Sequence, residues 1–178
     1  MNLCEHIVRM AAYNETMNDR LYAAAARLSP EDLRGDRGAF FGSVFGTLNH
    51  LVVADTIWLK RFSSHPARQP ALDGMRAAPS PTSLGQPLAD DLPGLLVLRQ
   101  RLDRTIRAWA EGLREADLDD TLQYANSQGI AANKRYGSLV MHFFNHQAHH
   151  RGQATTLLSQ SGIDIGVTDL LMLIPNEC

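Results

Sequence analysis

The sequence predicts an all-α fold, a four-helix bundle. Apolar residues recur at 3-4 spacing through four long stretches, the signature of helices that each bury one face. One connection, residues 63–91, carries five of the eight prolines and shows no such period, so it reads as a long crossover between helices two and three. Strand-like character is confined to residues 119–135, where Asn126-Ser-Gln-Gly129 signals a turn, so a small hairpin or extended loop is expected before helix four. The chain of 178 residues, 44% apolar and 20% charged, suits one domain over 1–178 with a sizeable core.

The first helix is expected over residues 2–28, with Leu3, Ile7, Met10, Met17, Leu21 and Leu28 on its seam. Asn14 falls on that seam and reads as a polar core residue that fixes register. Ser29 and Pro30 then restart a short turn, as cap and first helical residue. The second helix is expected over 40–62. Its polar strip is thin (Asn49, Thr56, Lys60), and a helix apolar around most of its surface needs neighbours on several sides. That motivates a homodimer in which Phe41, Phe45, Leu48, Val52 or Leu59 meets a second subunit. Asp55, on the apolar arc, reads as a buried ion pair to another helix.

A helix of about 22 residues spans roughly 33 Å. The crossover can extend beyond that length, so the third helix can start beside the beginning of the second and run parallel to it. His65, in the crossover, is expected to be exposed. The third helix, 92–115, places Leu92, Leu95, Leu102, Ile106, Trp109 and Leu113 at bundle spacing. Arg99, Arg101, Arg104, Arg107 and Arg114 read as a solvated face that pairs with Asp103, Glu111 and Glu115. The fourth helix is expected to start at a Ser138 cap and run to about residue 159, where Gly162 ends it. Residues 167–174 are apolar enough to fold back onto the bundle.

Several function classes are disfavoured. The net charge of −2 and the lack of a basic cluster interleaved with aromatics argue against nucleic acid or an anionic membrane as partner. The start shows no charged segment followed by an apolar one, and no run reaches membrane-span length. Cys4 and Cys178, without CxxC spacing, do not suggest a disulfide framework. A cytoplasmic protein is expected.

The stretch from 136 to 153, YGSLVMHFFNHQAHHRGQ, holds four of the seven histidines within nine residues: His142, His146, His149 and His150. At about 100° per residue, His142, His146 and His150 share an arc of roughly 80°. Leu139, Phe143 and Leu157 project into the same arc, so these imidazoles are expected to face the core. Buried imidazoles need polar partners that a core rarely supplies, and two at i, i+4 can reach one metal ion. Spacing leaves open which pair binds, since His142/His146 and His146/His150 are equivalent. A third ligand must come from another helix. His50, flanked at helical spacing by Gly46, Val53, Ala54 and Ile57, is the best candidate.

Residues 48–62, LNHLVVADTIWLKRF, and 142–171, HFFNHQAHHRGQATTLLSQSGIDIGVTDLL, resemble the DinB-type metalloprotein family, related to bacterial thiol-dependent transferases. The resemblance covers essentially the whole chain. It implies an up-down-down-up bundle, in agreement with the crossover length. It also implies a three-histidine metal site of His50, His146 and His150, with His142 and His149 in supporting or packing roles. Imidazole ligands suit zinc or nickel first and iron or copper next.

Three imidazoles leave a divalent ion with open positions, the catalytic type of site. The family implies a small-molecule substrate and a low-molecular-weight thiol, with S-transfer or isomerisation as the reaction. A metal-dependent hydrolase and a non-catalytic, stress-associated metal-binding dimer are the alternatives. No general base is evident. Gln153 and Asn145 are candidates for bracing a ligand, and Tyr13, Asn14 and Arg61 for lining a pocket.

Overall fold

The computed structural model describes residues 2–126 and 128–176, which form seven α-helices and a two-stranded antiparallel sheet. Four helices are long: α1 (Leu3–Ala25), α3 (Val44–Phe62), α5 (Leu92–Glu111) and α7 (Tyr136–Gln160). Between them lie the short α2 (Pro30–Arg34), α4 (Asp73–Ala77) and α6 (Glu115–Asp119), and strands β1 (Thr121–Ala125) and β2 (Ala131–Arg135). Helices α1 and α3 each pack against α5 and α7. Leu21, Leu48, Phe62, Ile106, Trp109 and Phe143 fill the space among them.

Helix ends follow local chemistry. The Asn2 side chain accepts from the Glu5 amide at 2.8 Å while the Glu5 carboxylate accepts from the Asn2 amide, a capping box that starts α1. Ser29 caps α2 with Pro30 at its first position, as expected. Helix α3 begins four residues later than expected. Gly42 takes a left-handed backbone (φ +73°) that breaks the run, and the Ser43 hydroxyl then accepts from the Gly46 amide at 3.0 Å. Helix α7 starts at Tyr136, so Ser138 lies inside it and is not the cap. Gly162 (φ +74°) follows its last turn, as expected.

The crossover is not structureless. It holds a 3-10 turn at Pro70–Leu72 that runs into α4, and Leu72 and Met75 are buried. Two apolar side chains between prolines are too few to show a period in the sequence. The same segment covers the polar strip of α3. Asn49 donates to the Gln86 carbonyl at 2.8 Å and accepts from the Leu88 amide at 2.9 Å, and Lys60 donates to the Ala78 carbonyl. Phe45, Leu48, Val52 and Leu59 are buried within the single chain, and Phe41 is half-buried. The neighbours that α3 needs are therefore supplied by its own chain, which removes the reason for placing a second subunit there.

Two further expectations are corrected. His65 is 4% exposed: its ring stacks on Tyr136 at 4.1 Å, its Nδ1 accepts from the Ala67 amide, and Nε2 lies 3.8 Å from an Asp120 carboxylate oxygen. Arg99 is not on a solvated face. It is 1% exposed and bridges two buried carboxylates, Asp55 at 2.6 Å and Asp103 at 3.0 Å. Asp55 thus forms the interhelical ion pair expected of it. Asp103 also accepts from Asn18 at 2.9 Å and Asn14 at 3.4 Å, and Arg151 donates to Asn14. One polar cluster joins all four long helices, with Asn14 in the core role expected of it.

The hairpin forms in the expected place, pairing Thr121 with Arg135 through Ala125 with Ala131. The C-terminal segment folds back largely through polar contacts: the Tyr13 hydroxyl donates to the Thr168 carbonyl and Arg20 to the Val167 carbonyl, each at 2.6 Å. Val167 and Leu171 stay exposed, unlike the apolar docking expected of them. Cys4 is a free thiol, and Cys178 lies outside the described residues. Among the described residues, no helix is long and apolar enough to cross a membrane.

Arg99→Leu leaves Asp55 and Asp103 buried without their shared cation. It should cost on the order of 3–5 kcal/mol in urea denaturation. A loss below about 1 kcal/mol would mean that the cluster does not hold the helices together.

Candidate metal centre

Helix α3 presents one stripe to a cavity of about 470 Å³: His50, Ala54, Ile57, Trp58 and Arg61. These positions follow the 3-4 rhythm of a single helix face. Helix α7 supplies the facing wall with His142, His146, His149, His150 and Gln153. Phe40 and Phe41 close one end from the turn before α3, Leu84 comes from the crossover, and Tyr124 and Asn126 come from the hairpin. The cavity lies beside the α3–α7 contact, with an α3 wall that is apolar between His50 and Arg61 and an α7 wall made largely of imidazoles.

The histidine arc points into the core only in part: His150 is buried and His146 half-buried. Leu139, Phe143 and Leu157 are buried, whereas His142 and His149 are exposed at the cavity rim. The edges of the arc separate: one borders the core and the other the cavity. His50, His146 and His150 come together. Each offers one ring nitrogen, and the three nitrogens lie within 4.8 Å of one another. The Nε2 atoms of His146 and His150 are 3.1 Å apart.

Outer contacts orient the rings. His50 Nδ1 sits 3.0 Å from the Leu84 carbonyl oxygen, which can only accept, so that nitrogen carries the proton. His150 Nδ1 lies 2.7 Å from Gln153 Oε1 and is protonated for the same reason, while the Gln153 amide nitrogen lies 3.2 Å from His149 Nε2. The Nε2 atoms of His50 and His150 therefore carry lone pairs, that of His150 facing His146 Nε2, and the His50 and His150 rings lie edge to face with centroids 4.5 Å apart. Phe41 stacks on His50 at 3.8 Å. Gly46 allows this. A Cβ there would stand 2.1 Å from the Phe41 carbonyl oxygen, so a side chain would push the Phe41 turn off the helix.

Burial holds these rings neutral. Desolvation, helped by the nearby His150, pushes His50 down to about 4 even though the Leu84 carbonyl pulls it up. Desolvation and the neighbouring histidines push His146 down to about 3. His150 is lowered as well, chiefly by desolvation, against the pull of Gln153. Neutral imidazoles with converging lone pairs form a donor set that suits a divalent cation, with second contacts of the carbonyl and amide kind that metal-bound histidines use.

Gln153 takes the bracing role expected of it. Asn145 does not, because it lies outside the cavity. Tyr13 and Asn14 also lie elsewhere, Tyr13 against the C-terminal segment and Asn14 in the core cluster. Arg61 lines the cavity as expected. Sequence reasoning did not identify Leu84, Phe41 or Tyr124 as site residues. A backbone carbonyl leaves no mark in the sequence, and Tyr124 reaches the site only because the hairpin folds beside α3. Trp58, whose ring meets His142 edge-on at 5.0 Å, was readable in principle, since it lies on the His50 face of the helix.

The chain matches the DinB family over residues 2–176. It belongs to that family. No curated protein and no solved structure matches it. Family membership together with the three-histidine group is compatible with a metal-binding enzyme, and the group has the donors to bind one ion.

The depressed histidines set a pH dependence for the metal-free protein. Below the ordinary histidine value of 6.5, the unfolded chain takes up protons that folded His50 and His146 refuse. Their contribution is fully present above about 6.5 and is lost as pH falls toward about 4. With chelator present, the melting temperature should drop between about pH 7 and about pH 5. The drop should be shallower in His146→Ala, and equal slopes in the two proteins would show that His146 is not held neutral by the fold.

Proposed function

We propose that this chain is a metal-dependent enzyme whose ion is held by His50, His146 and His150. The observation that carries the reading is the convergence of three neutral imidazole nitrogens within 4.8 Å on the wall of a cavity large enough for a small molecule. A divalent ion held there, zinc or nickel before iron or copper, would supply Lewis acidity that lowers the pKa of a bound thiol or water or polarises a carbonyl.

The chain's own residues supply the rest. Leu84 and Gln153 fix the tautomers of His50 and His150, and Phe41 covers the His50 ring. Ala54, Ile57 and Trp58 give the cavity an apolar wall. No carboxylate is among its described lining residues, so the side-chain bases there are imidazoles, His142 and His149 at the rim. Activation of the nucleophile then falls to the metal centre or to these histidines. That pattern favours a small-molecule reaction with a low-molecular-weight thiol, either S-transfer or isomerisation, in keeping with the family resemblance. A metal-dependent hydrolase is the second reading, supported by the same open cavity. The reading further takes 1–178 as one domain, a four-helix bundle of up-down-down-up order, supported by the crossover length and by the core shared among α1, α3, α5 and α7.

Metal analysis of untagged protein tests the assignment. About one divalent ion per chain is expected, lost in His50→Ala and His146→Ala but kept in His142→Ala. Equal loss in His142→Ala would redraw the ligand set. Chelation should leave the helical signal near its starting value, because the polar cluster and core hold the helices without the ion. Collapse of the fold on chelation would instead mark the ion as structural.

A further inference from the structure

Among the described lining residues of the histidine cavity, Arg61 is the only permanent cation. It lies eleven residues after His50, about 1100° around the helix and so within about 20° of the same face. The rise places it roughly 16 Å along α3 from His50, with the apolar Ala54, Ile57 and Trp58 between them.

Its surroundings differ from those of the carboxylate-bridging arginines, and from those of Arg151, which is buried in the core against Asn14 and Tyr13. Arg99, Arg107, Arg114 and Arg135 each face a carboxylate within 4.0 Å, and Arg61 faces none among the described residues. Its guanidinium lies over the rings of Trp58 (4.7 Å) and Tyr124 (4.9 Å). One hydrogen bond anchors it, from Nη2 to the Ala125 carbonyl at 3.1 Å. A guanidinium has five N–H donors, and among the described residues only one of them finds an acceptor. Desolvation lowers its pKa despite the nearby Tyr124 hydroxyl, as expected for a half-buried cation without a counter-ion.

A second cavity, of about 420 Å³, meets the first at Ile57, Arg61, Leu84 and Asn126, and its walls carry the hydroxyls of Ser80, Thr82 and Ser83. Arg61 therefore stands where the two cavities adjoin. Bracing the hairpin explains the stacking and the one hydrogen bond. It does not explain a desolvated cation at the junction of two cavities.

We propose that Arg61 is the carboxylate-recognition residue of this cavity, and that its substrates are small organic acids with an apolar body. The carboxylate pairs with the guanidinium, the body lies along Ala54, Ile57 and Trp58, and the reacting group reaches toward the histidines. Planar guanidinium and carboxylate match in a two-pronged hydrogen bond that a neutral amide cannot reproduce. The inference rests on reading the cavity as a substrate pocket, but Arg61 does not need the metal to bind an anion.

Isothermal titration of phenylpropionate and its neutral analogue phenylpropionamide tests it, on metal-free and metal-loaded protein. The acid should bind on the order of tenfold more tightly than the amide, with or without metal, and Arg61→Gln should abolish the difference. Arg61→Lys should keep part of it, and that variant carries the test should Arg61→Gln fail to fold. A preference that survives in Arg61→Gln, or that vanishes when the metal is removed, would overturn the proposal, because the histidine centre would then be what binds the carboxylate. Glutathione run in parallel separates the two sources of a carboxylate. Arg61 dependence for phenylpropionate places it on the apolar substrate, whereas dependence for glutathione alone moves it to the thiol and overturns the apolar body. Metal analysis of the same samples keeps the outcomes separate: an Arg61-dependent preference in protein that never takes up an ion defeats the metal reading and leaves this one standing.

Discussion

The Arg99 guanidinium, held between Asp55 and Asp103, is the constraint on which the rest of the molecule depends. Asp55 belongs to α3, Arg99 and Asp103 to α5, Asn14 and Asn18 to α1, and Arg151 to α7. Desolvating these charges is costly, so they are stable only when all partners arrive together. Apolar packing alone lets helices slide or rotate at little cost. A buried network of fixed donors and acceptors does not, and it sets the rotation of α3 and α7 about their axes. That rotation decides which stripes of the two helices face the cavity.

The metal centre follows from that rotation. His50 and His150 face one another because α3 and α7 are fixed on both sides of the core, with Asp55 five residues beyond His50 and Arg151 directly after His150. The same helices thus carry a network residue and a site residue on adjacent faces. Leu84 and Gln153 complete the arrangement by choosing which nitrogen of each ring keeps its proton. The crossover that brings Leu84 to His50 also covers the polar strip of α3 through Asn49 and Lys60, so one segment shields the helix and orients a ligand.

Much of this was legible in the chain. Periodicity placed the four long helices, the prolines placed the crossover, and the turn signal placed the hairpin. The histidine spacing marked α7, and helix phase pointed to His50 and Arg61. Where the reading failed, a local pattern had two tertiary outcomes. Arg99 looked like its solvated neighbours because an i, i+4 pair with Asp103 suits an exposed helix face as well as a buried one. His65 looked exposed because it sits among prolines, and only the Tyr136 ring beneath it buries it. Leu72 and Met75 were invisible as core because a single turn has no period.

The sequence by itself determined the four long helices, the Ser29 cap of α2, and the supply of imidazoles on two helix faces, because each depends on contacts within a few residues. Tertiary structure decided which histidines converge, which ring nitrogens carry the proton, and that Arg99 is buried between two carboxylates while Arg61 faces none among the described residues. Those outcomes depend on the relative rotation of helices far apart in the chain, and on a backbone carbonyl that any residue at position 84 would provide.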